Sequence, residues 1–128
     1  MARIRQRAIG DCGIVALSVA LRLPYDEVAE AVAVVDPTFR GTRGLHNRQV
    51  VAAAAMLGAI LRPTSDYDLA TADGILRVRW NQAKPSDGGH FTAVRKGALF
   101  CPGLARRFEP EAYAEARDAR FCTLLSLN

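Results

Sequence analysis

Two residues that could exchange a proton stand far apart in this sequence of 128 residues, Cys12 and His90. Cys12 follows Asp11 and begins a run that is apolar except for Ser18 as far as Leu21, which is typical of the first turn of a buried helix. The positive end of a helix dipole favours an anion, so this position is expected to bias the thiol toward thiolate. Cys12 is therefore the candidate nucleophile.

His90 begins a short β-like run, Gly89-His90-Phe91-Thr92-Ala93-Val94. An imidazole held on rigid structure can take the proton of a thiol, and a cysteine and a histidine brought together form a nucleophile and its base. Each residue also has a purely structural interpretation, Cys12 as a core cysteine and His90 as a strand histidine with satisfied hydrogen bonds. Only the pair together predicts catalysis.

Size and composition predict one globular domain spanning residues 1–128. Half of the residues are hydrophobic, but no long uncharged apolar run is present. The start, Met1-Ala-Arg-Ile-Arg-Gln, lacks the apolar stretch of a secretory signal. We therefore expect no membrane association and a cytoplasmic location.

The cysteines and the charge bear on cofactors and partners. The three cysteines, Cys12, Cys101 and Cys122, are an odd number without a Cys-x-x-Cys pair, so free thiols are expected. None has finger-like spacing to His46 or His90, and no metal or other cofactor is predicted. The net charge of +4 comes without a basic run, which leaves nucleic-acid binding a remote alternative.

Hydrophobic periodicity predicts an α+β fold in which helices come first and a small antiparallel sheet packs against the cysteine helix. The predicted helices cover residues 13–23, 25–35, 46–57 and 109–118, with a further helical turn within 65–71. The predicted strands cover residues 59–61, 75–80, 90–95, 98–101 and 120–127. Lys96-Gly97 joins the middle pair as a compact hairpin.

The sequence resembles a known family in Gln6, in Asp11-Cys12-Gly13 opening an apolar helix, and in Gly89-His90-Phe91 followed by a hairpin return. It is similar here to papain-like cysteine peptidases of the bacteriocin-leader-cleaving (C39-like) type, including compact relatives in bacteria and bacteriophages. The resemblance runs from Gln6 to about Gly103. It implies a papain-like fold in the cytoplasm of a bacterium or of a phage-infected host.

The resemblance also implies roles for three residues. Cys12 would attack a carbonyl carbon, and His90 would take its proton and later give it to the leaving amine. Gln6 would donate its side-chain amide to the oxyanion, beside the backbone N–H of Cys12. The implied reaction is cleavage of a peptide or isopeptide bond in a peptide or protein substrate. Whether water or an amine takes up the acyl group stays open.

One position departs from the family pattern. An Asp or Asn on the strand after the histidine orients the imidazole in that family, whereas this chain has Cys101 followed by Pro102. A neutral thiol is a weak acceptor and would hold His90 less firmly. The alternatives are Cys101 as a thiolate, a backbone carbonyl or water, or an acid such as Asp87 or Asp118.

The missing acid motivates a second hypothesis of a different class. The chain would then be a catalytically impaired papain-fold protein that binds a protein partner. Asp11 adds a further expectation, because a carboxylate directly before a helix can cap its first N–H groups, although it also opposes ionisation of a neighbouring thiol.

Overall fold

The computed structural model describes residues 10–41, 43–83 and 89–127 and has helices and an antiparallel sheet in the predicted order. The helices are α1 (Cys12–Leu21), α2 (Tyr25–Val35), α3 (Asn47–Met56) and α4 (Pro110–Arg117). The strands are β1 (Arg62–Thr64), β2 (Asp73–Trp80), β3 (His90–Arg95), β4 (Ala98–Cys101), β5 (Arg106–Phe108) and β6 (Ala119–Ser126). The predicted α+β class is confirmed.

The six strands form one sheet in the order β1-β6-β2-β3-β4-β5, with every neighbouring pair antiparallel. Strand β3 lies between β2 and β4, with His90 opposite Val78 and Ala93 opposite Phe100. The predicted hairpin at Lys96-Gly97 is confirmed. His90 therefore stands on a strand whose backbone is fixed by the sheet.

The sheet separates two hydrophobic clusters. Helices α1, α2 and α3 pack on one face, where Ile75, Phe91 and Leu125 belong to the same cluster as Cys12. Helix α4 covers the other face and inserts Tyr113 among Val78, Cys101 and their neighbours. Because successive strand residues point to opposite faces, Phe91 joins the cluster of the cysteine helix while His90 contacts residues of the α4 cluster.

Gly13 allows the first turn of α1 to approach β3 closely. A Cβ atom at this position would lie 3.1 Å from Leu45 Cδ1, which is a tight contact, and 3.4 Å from Phe91 Cδ2 on β3, which is an ordinary one. The glycine after the cysteine thus lets the first turn of α1 pack closely on Leu45 while it contacts β3.

One predicted strand is wrong in position and one strand was not predicted. The strand expected at residues 59–61 lies instead at Arg62–Thr64, an edge position where the missing N–H of Pro63 is tolerated. The helical turn expected within 65–71 is present as a single turn that begins at Asp68, whose carbonyl accepts from the N–H groups of Thr71 and Ala72. Strand β5, which pairs with β4, was missed.

None of the helices within the described residues is long and apolar enough to cross a bilayer.

Candidate active site

Cys12 is the first residue of α1 and is 4% exposed. The backbone N–H groups of Gly13 and Phe91 favour the ionised form of its sulfur. The first is local to the helix terminus, where N–H groups lack intrahelical acceptors. The second belongs to the sheet, so the sulfur lies beside the residue that directly follows His90.

Burial raises the pKa of the Cys12 thiol, and the neighbouring Asp11 carboxylate raises it further. The two backbone N–H groups and the Arg77 guanidinium act in the opposite direction, but desolvation is the largest cause. The expectation that the helix terminus biases this residue toward thiolate is therefore wrong, because the sulfur is enclosed between helix and sheet. Cys12 rests as a neutral thiol.

The His90 ring is half-buried and stacks on Trp80, with ring centroids 5.6 Å apart and planes inclined by 29°. The Arg117 guanidinium lies 5.2 Å from the centre of the Trp80 ring. Burial, and after it the positive charge of Arg117, lowers the pKa of His90 to about 4. The imidazole is consequently neutral near pH 7 and is able to accept a proton.

The Cys101 side chain lies beside the Nε2 nitrogen of His90, with its sulfur 3.6 Å from that atom. Of the side chains considered for this position, Cys101 is the one found there. The Asp118 carboxylate accepts instead from Asn81 Nδ2 at 2.9 Å and from Gln82 Nε2 at 3.3 Å. Asp87, like Gln6, lies outside the described residues.

Asp11 is buried at the N-cap position of α1, but its side chain forms no capping hydrogen bond, so the expected cap is wrong. Its φ of −99° and ψ of 16° depart from the extended backbone of most N-cap residues, which turns the carboxylate away from the helix. The carboxylate accepts a hydrogen bond of 2.6 Å from the Tyr25 hydroxyl. Asp11 thereby ties α1 to α2 next to the nucleophile.

Three residues near the candidate pair were not identified from the sequence as parts of the site. The Arg77 guanidinium lies 5.0 Å from the centre of the Phe91 ring and donates to Asn47 Oδ1 at 3.2 Å. Arg117 and Tyr113 come from α4, beyond the part of the chain that the family resemblance covers. Arg77 lies within the strand predicted at residues 75–80, but no local pattern in the sequence indicates that α4 packs near His90.

His46 begins a helix, and Trp80 lies beside the candidate base. His46 is the N-cap residue of α3, and its backbone N–H donates to Gln49 Oε1 at 2.8 Å, as expected for a helix start rather than for a ligand. Trp80 is partly buried, packs against the hydrophobic cluster that contains Tyr113, and also stacks on His90. The three cysteines are free thiols.

The thiol that lies beside the His90 imidazole is that of Cys101, whereas Cys12 lies beside Phe91, the residue that follows His90. No group of three or more His, Cys, Asp or Glu side chains suited to holding a metal ion occurs within residues 10–41, 43–83 and 89–127. Comparison with protein-family models, with curated proteins and with solved structures finds no match to this chain. Any function must therefore be inferred from the geometry of Cys12, His90 and Cys101.

The low pKa of His90 predicts a loss of stability on acidification. An unfolded chain takes up this proton near pH 6.5 but the folded one only near pH 4, so stability decreases as the pH falls through this interval. Across this interval the free energy of unfolding should fall by roughly 3 kcal/mol. Urea unfolding at several pH values is expected to show this decrease in the wild type and in His46→Gln, and a much smaller one in His90→Gln. If the free energy of unfolding falls equally with pH in all three proteins, His90 is not the group responsible.

Proposed function

We propose that the chain is a papain-like cysteine hydrolase that cleaves a peptide or isopeptide bond with Cys12 as nucleophile and His90 as base. The observation that carries the proposal is the position of the Cys12 sulfur beside the Phe91 N–H, one residue from a neutral histidine. An α1 helix that begins with the cysteine and packs on an antiparallel sheet supports the papain-like assignment.

The first step follows from the two pKa values. Nε2 of His90 faces Cys101, so we assign to Nδ1 the role of accepting the proton of Cys12, for which the ring must reach the sulfur around the start of β3. The raised pKa of the thiol and the lowered pKa of the imidazole mean that the pair is neutral at rest. The proton therefore moves as the sulfur attacks the carbonyl carbon, which is general-base catalysis rather than attack by a preformed thiolate.

The attack moves the electron pair of the carbonyl double bond onto its oxygen, and hydrogen-bond donors must stabilise the negative charge that forms there. The backbone N–H of Cys12 lies at the start of a helix, where such groups lack intrahelical acceptors, and the Gln6 amide is the proposed second donor. Collapse of the intermediate breaks the carbon–nitrogen bond, and the amine leaves with the proton held by His90. Water then gives a proton to His90 and hydrolyses the thioester, which restores the Cys12 thiol.

A small activated ester tests the proposal without knowledge of the natural substrate. Mixing the protein with p-nitrophenyl acetate is expected to release a burst of nitrophenolate and to leave an acetyl group on Cys12, located by peptide mass spectrometry. Cys12→Ala is expected to remove the burst. Cys122→Ala is the matched control, because this half-buried thiol on β6 belongs to no part of the proposed site. A burst that survives in Cys12→Ala would refute the proposal.

The second hypothesis, a papain-fold protein that binds a protein partner without cleaving it, draws support from the neutral resting pair and from the thiol at Nε2. It predicts a partner that binds the wild type and Cys12→Ala equally and is recovered intact from both. Acetylation of Cys12 that depends on His90, together with cleavage of the bound protein by the wild type, would exclude it.

A further inference from the structure

The Arg77 guanidinium lies beside the start of β3, on the face of the sheet that the cysteine helix covers. Its Cζ atom is 5.0 Å from the centre of the Phe91 ring, which packs in the same cluster as Cys12. A Cβ atom on Gly89 would lie 2.7 Å from Arg77 Nε, so the glycine leaves the space that the guanidinium fills. Arg77 therefore contacts the residues on both sides of His90 in the chain.

Arg77 is a half-buried cation, and within the described parts of the chain its side chain contacts no carboxylate. Its hydrogen bond goes to a neutral group, Asn47 Oδ1, at 3.2 Å. Burial lowers the pKa of Arg77, and the positive charge of Arg79 lowers it further. Buried charges in proteins are usually paired. A guanidinium has five N–H donors in a planar fork, so the bond to Asn47 leaves most of them for a ligand.

The carboxylate that is already close to Cys12 belongs to another part of the site. Asp11 is 1% exposed and accepts a hydrogen bond of 2.6 Å from the Tyr25 hydroxyl of α2. Arg77 instead contacts the sheet and the first residue of α3. An anion that reaches Cys12 along β3 consequently meets the guanidinium.

We propose that Arg77 binds a carboxylate of the substrate next to the carbonyl that Cys12 attacks, so that the site selects peptides carrying a negative charge at this place. The planar fork of a guanidinium matches the two oxygens of a carboxylate. The inference rests on the proposed function in taking Cys12 as the reacting group. The carboxylate belongs either to an acidic side chain or to a chain terminus, which present the same chemistry to Arg77.

Alkylation of Cys12 by two matched reagents tests the charge preference without any turnover. Iodoacetate carries a carboxylate where iodoacetamide carries a neutral amide, and the ratio of their rates cancels changes in the reactivity of the sulfur itself. Arg77→Gln is expected to lower the iodoacetate-to-iodoacetamide ratio about tenfold, the equivalent of one hydrogen bond to a charged group. Arg77→Lys should keep most of the ratio. Arg107→Gln is the matched control, because it removes an exposed arginine from β5, which β3 and β4 separate from β2.

Two isomers identify the source of the carboxylate, since N-acetylglutamine carries it at the chain terminus and N-acetylglutamate α-amide carries it on the side chain. Isotope-labelled Cys12→Ala is titrated with each isomer, and the NMR signal of the Arg77 Nε–H group is followed. We expect a saturable shift with at least one isomer and none with neutral N-acetylglutamine amide.

Two results would overturn carboxylate binding by Arg77. They are an alkylation ratio that is equal in the wild type and in Arg77→Gln, and a titration in which neither isomer shifts the Arg77 signal more than the neutral amide does. The expected ratio and shift without acetylation of Cys12 by p-nitrophenyl acetate would support the carboxylate site and refute the hydrolase.

Discussion

Replacing His90 by glutamine is expected to slow acetylation of Cys12 by p-nitrophenyl acetate by a factor on the order of 10²–10⁴. Glutamine offers an amide in place of the imidazole but cannot take a proton. Because burial raises the pKa of Cys12, few of these thiols ionise near neutral pH without a base. The loss should therefore appear in the acylation step, measured as the rate of the nitrophenolate burst.

The control for this substitution is His46→Gln, which changes the other histidine of the chain, the N-cap residue of α3. It should acetylate Cys12 at the wild-type rate. Circular dichroism and urea unfolding at pH 7 should show that His90→Gln remains folded. A folded His90→Gln that acetylates Cys12 as fast as the wild type would mean that His90 is not the base.

Replacing Gln6 by alanine is expected to slow the same reaction by roughly 10²–10³, the usual cost of losing one oxyanion donor. The role of Gln6 comes from the family resemblance, so this variant tests that resemblance directly. The amide would act on charge that develops in the transition state, and the loss should lie in the rate constant rather than in the concentration of ester needed for saturation.

Gln82→Ala is the matched control for Gln6→Ala, since the Gln82 amide donates to the Asp118 carboxylate and has no role in the proposed mechanism. This variant should keep the wild-type rate. If Gln6→Ala also keeps it while His90→Gln does not, the Cys12 and His90 pair stands without the predicted oxyanion donor. The papain-like interpretation would then lose one of its three residues.

The sequence predicted most of the elements that carry the candidate pair, because their signals are local. The apolar run after Cys12 sets α1, and the alternation around Lys96-Gly97 sets the hairpin of β3 and β4. Glu109-Pro110 marks the start of α4, where the Glu109 carboxylate accepts from the N–H groups of Glu111 and Ala112. Each of these features depends on residues a few positions apart.

The predictions that were wrong, and the features that were missed, depend on residues far apart in the sequence. Strand β1 is set by pairing with β6, more than fifty positions away, and its Arg-Pro-Thr sequence carries no strand pattern. The position of Cys12 at a helix start predicted a thiolate, but the enclosure of its sulfur between α1 and β3 has the larger effect. The contact of Tyr113 with Cys101 required the packing of α4 on the sheet.

Competitive labelling with a peptidyl vinyl sulfone tests the central claim, that His90 activates Cys12, most directly. A limited reaction followed by peptide mass spectrometry compares Cys12 with Cys101 and Cys122 in the same molecule. The account predicts labelling of Cys12 at least ~10-fold faster than of either other cysteine in the wild type, and loss of that preference in His90→Gln. Labelling of Cys122 as fast as Cys12 in the wild type, or a preference for Cys12 that survives in His90→Gln, would contradict it.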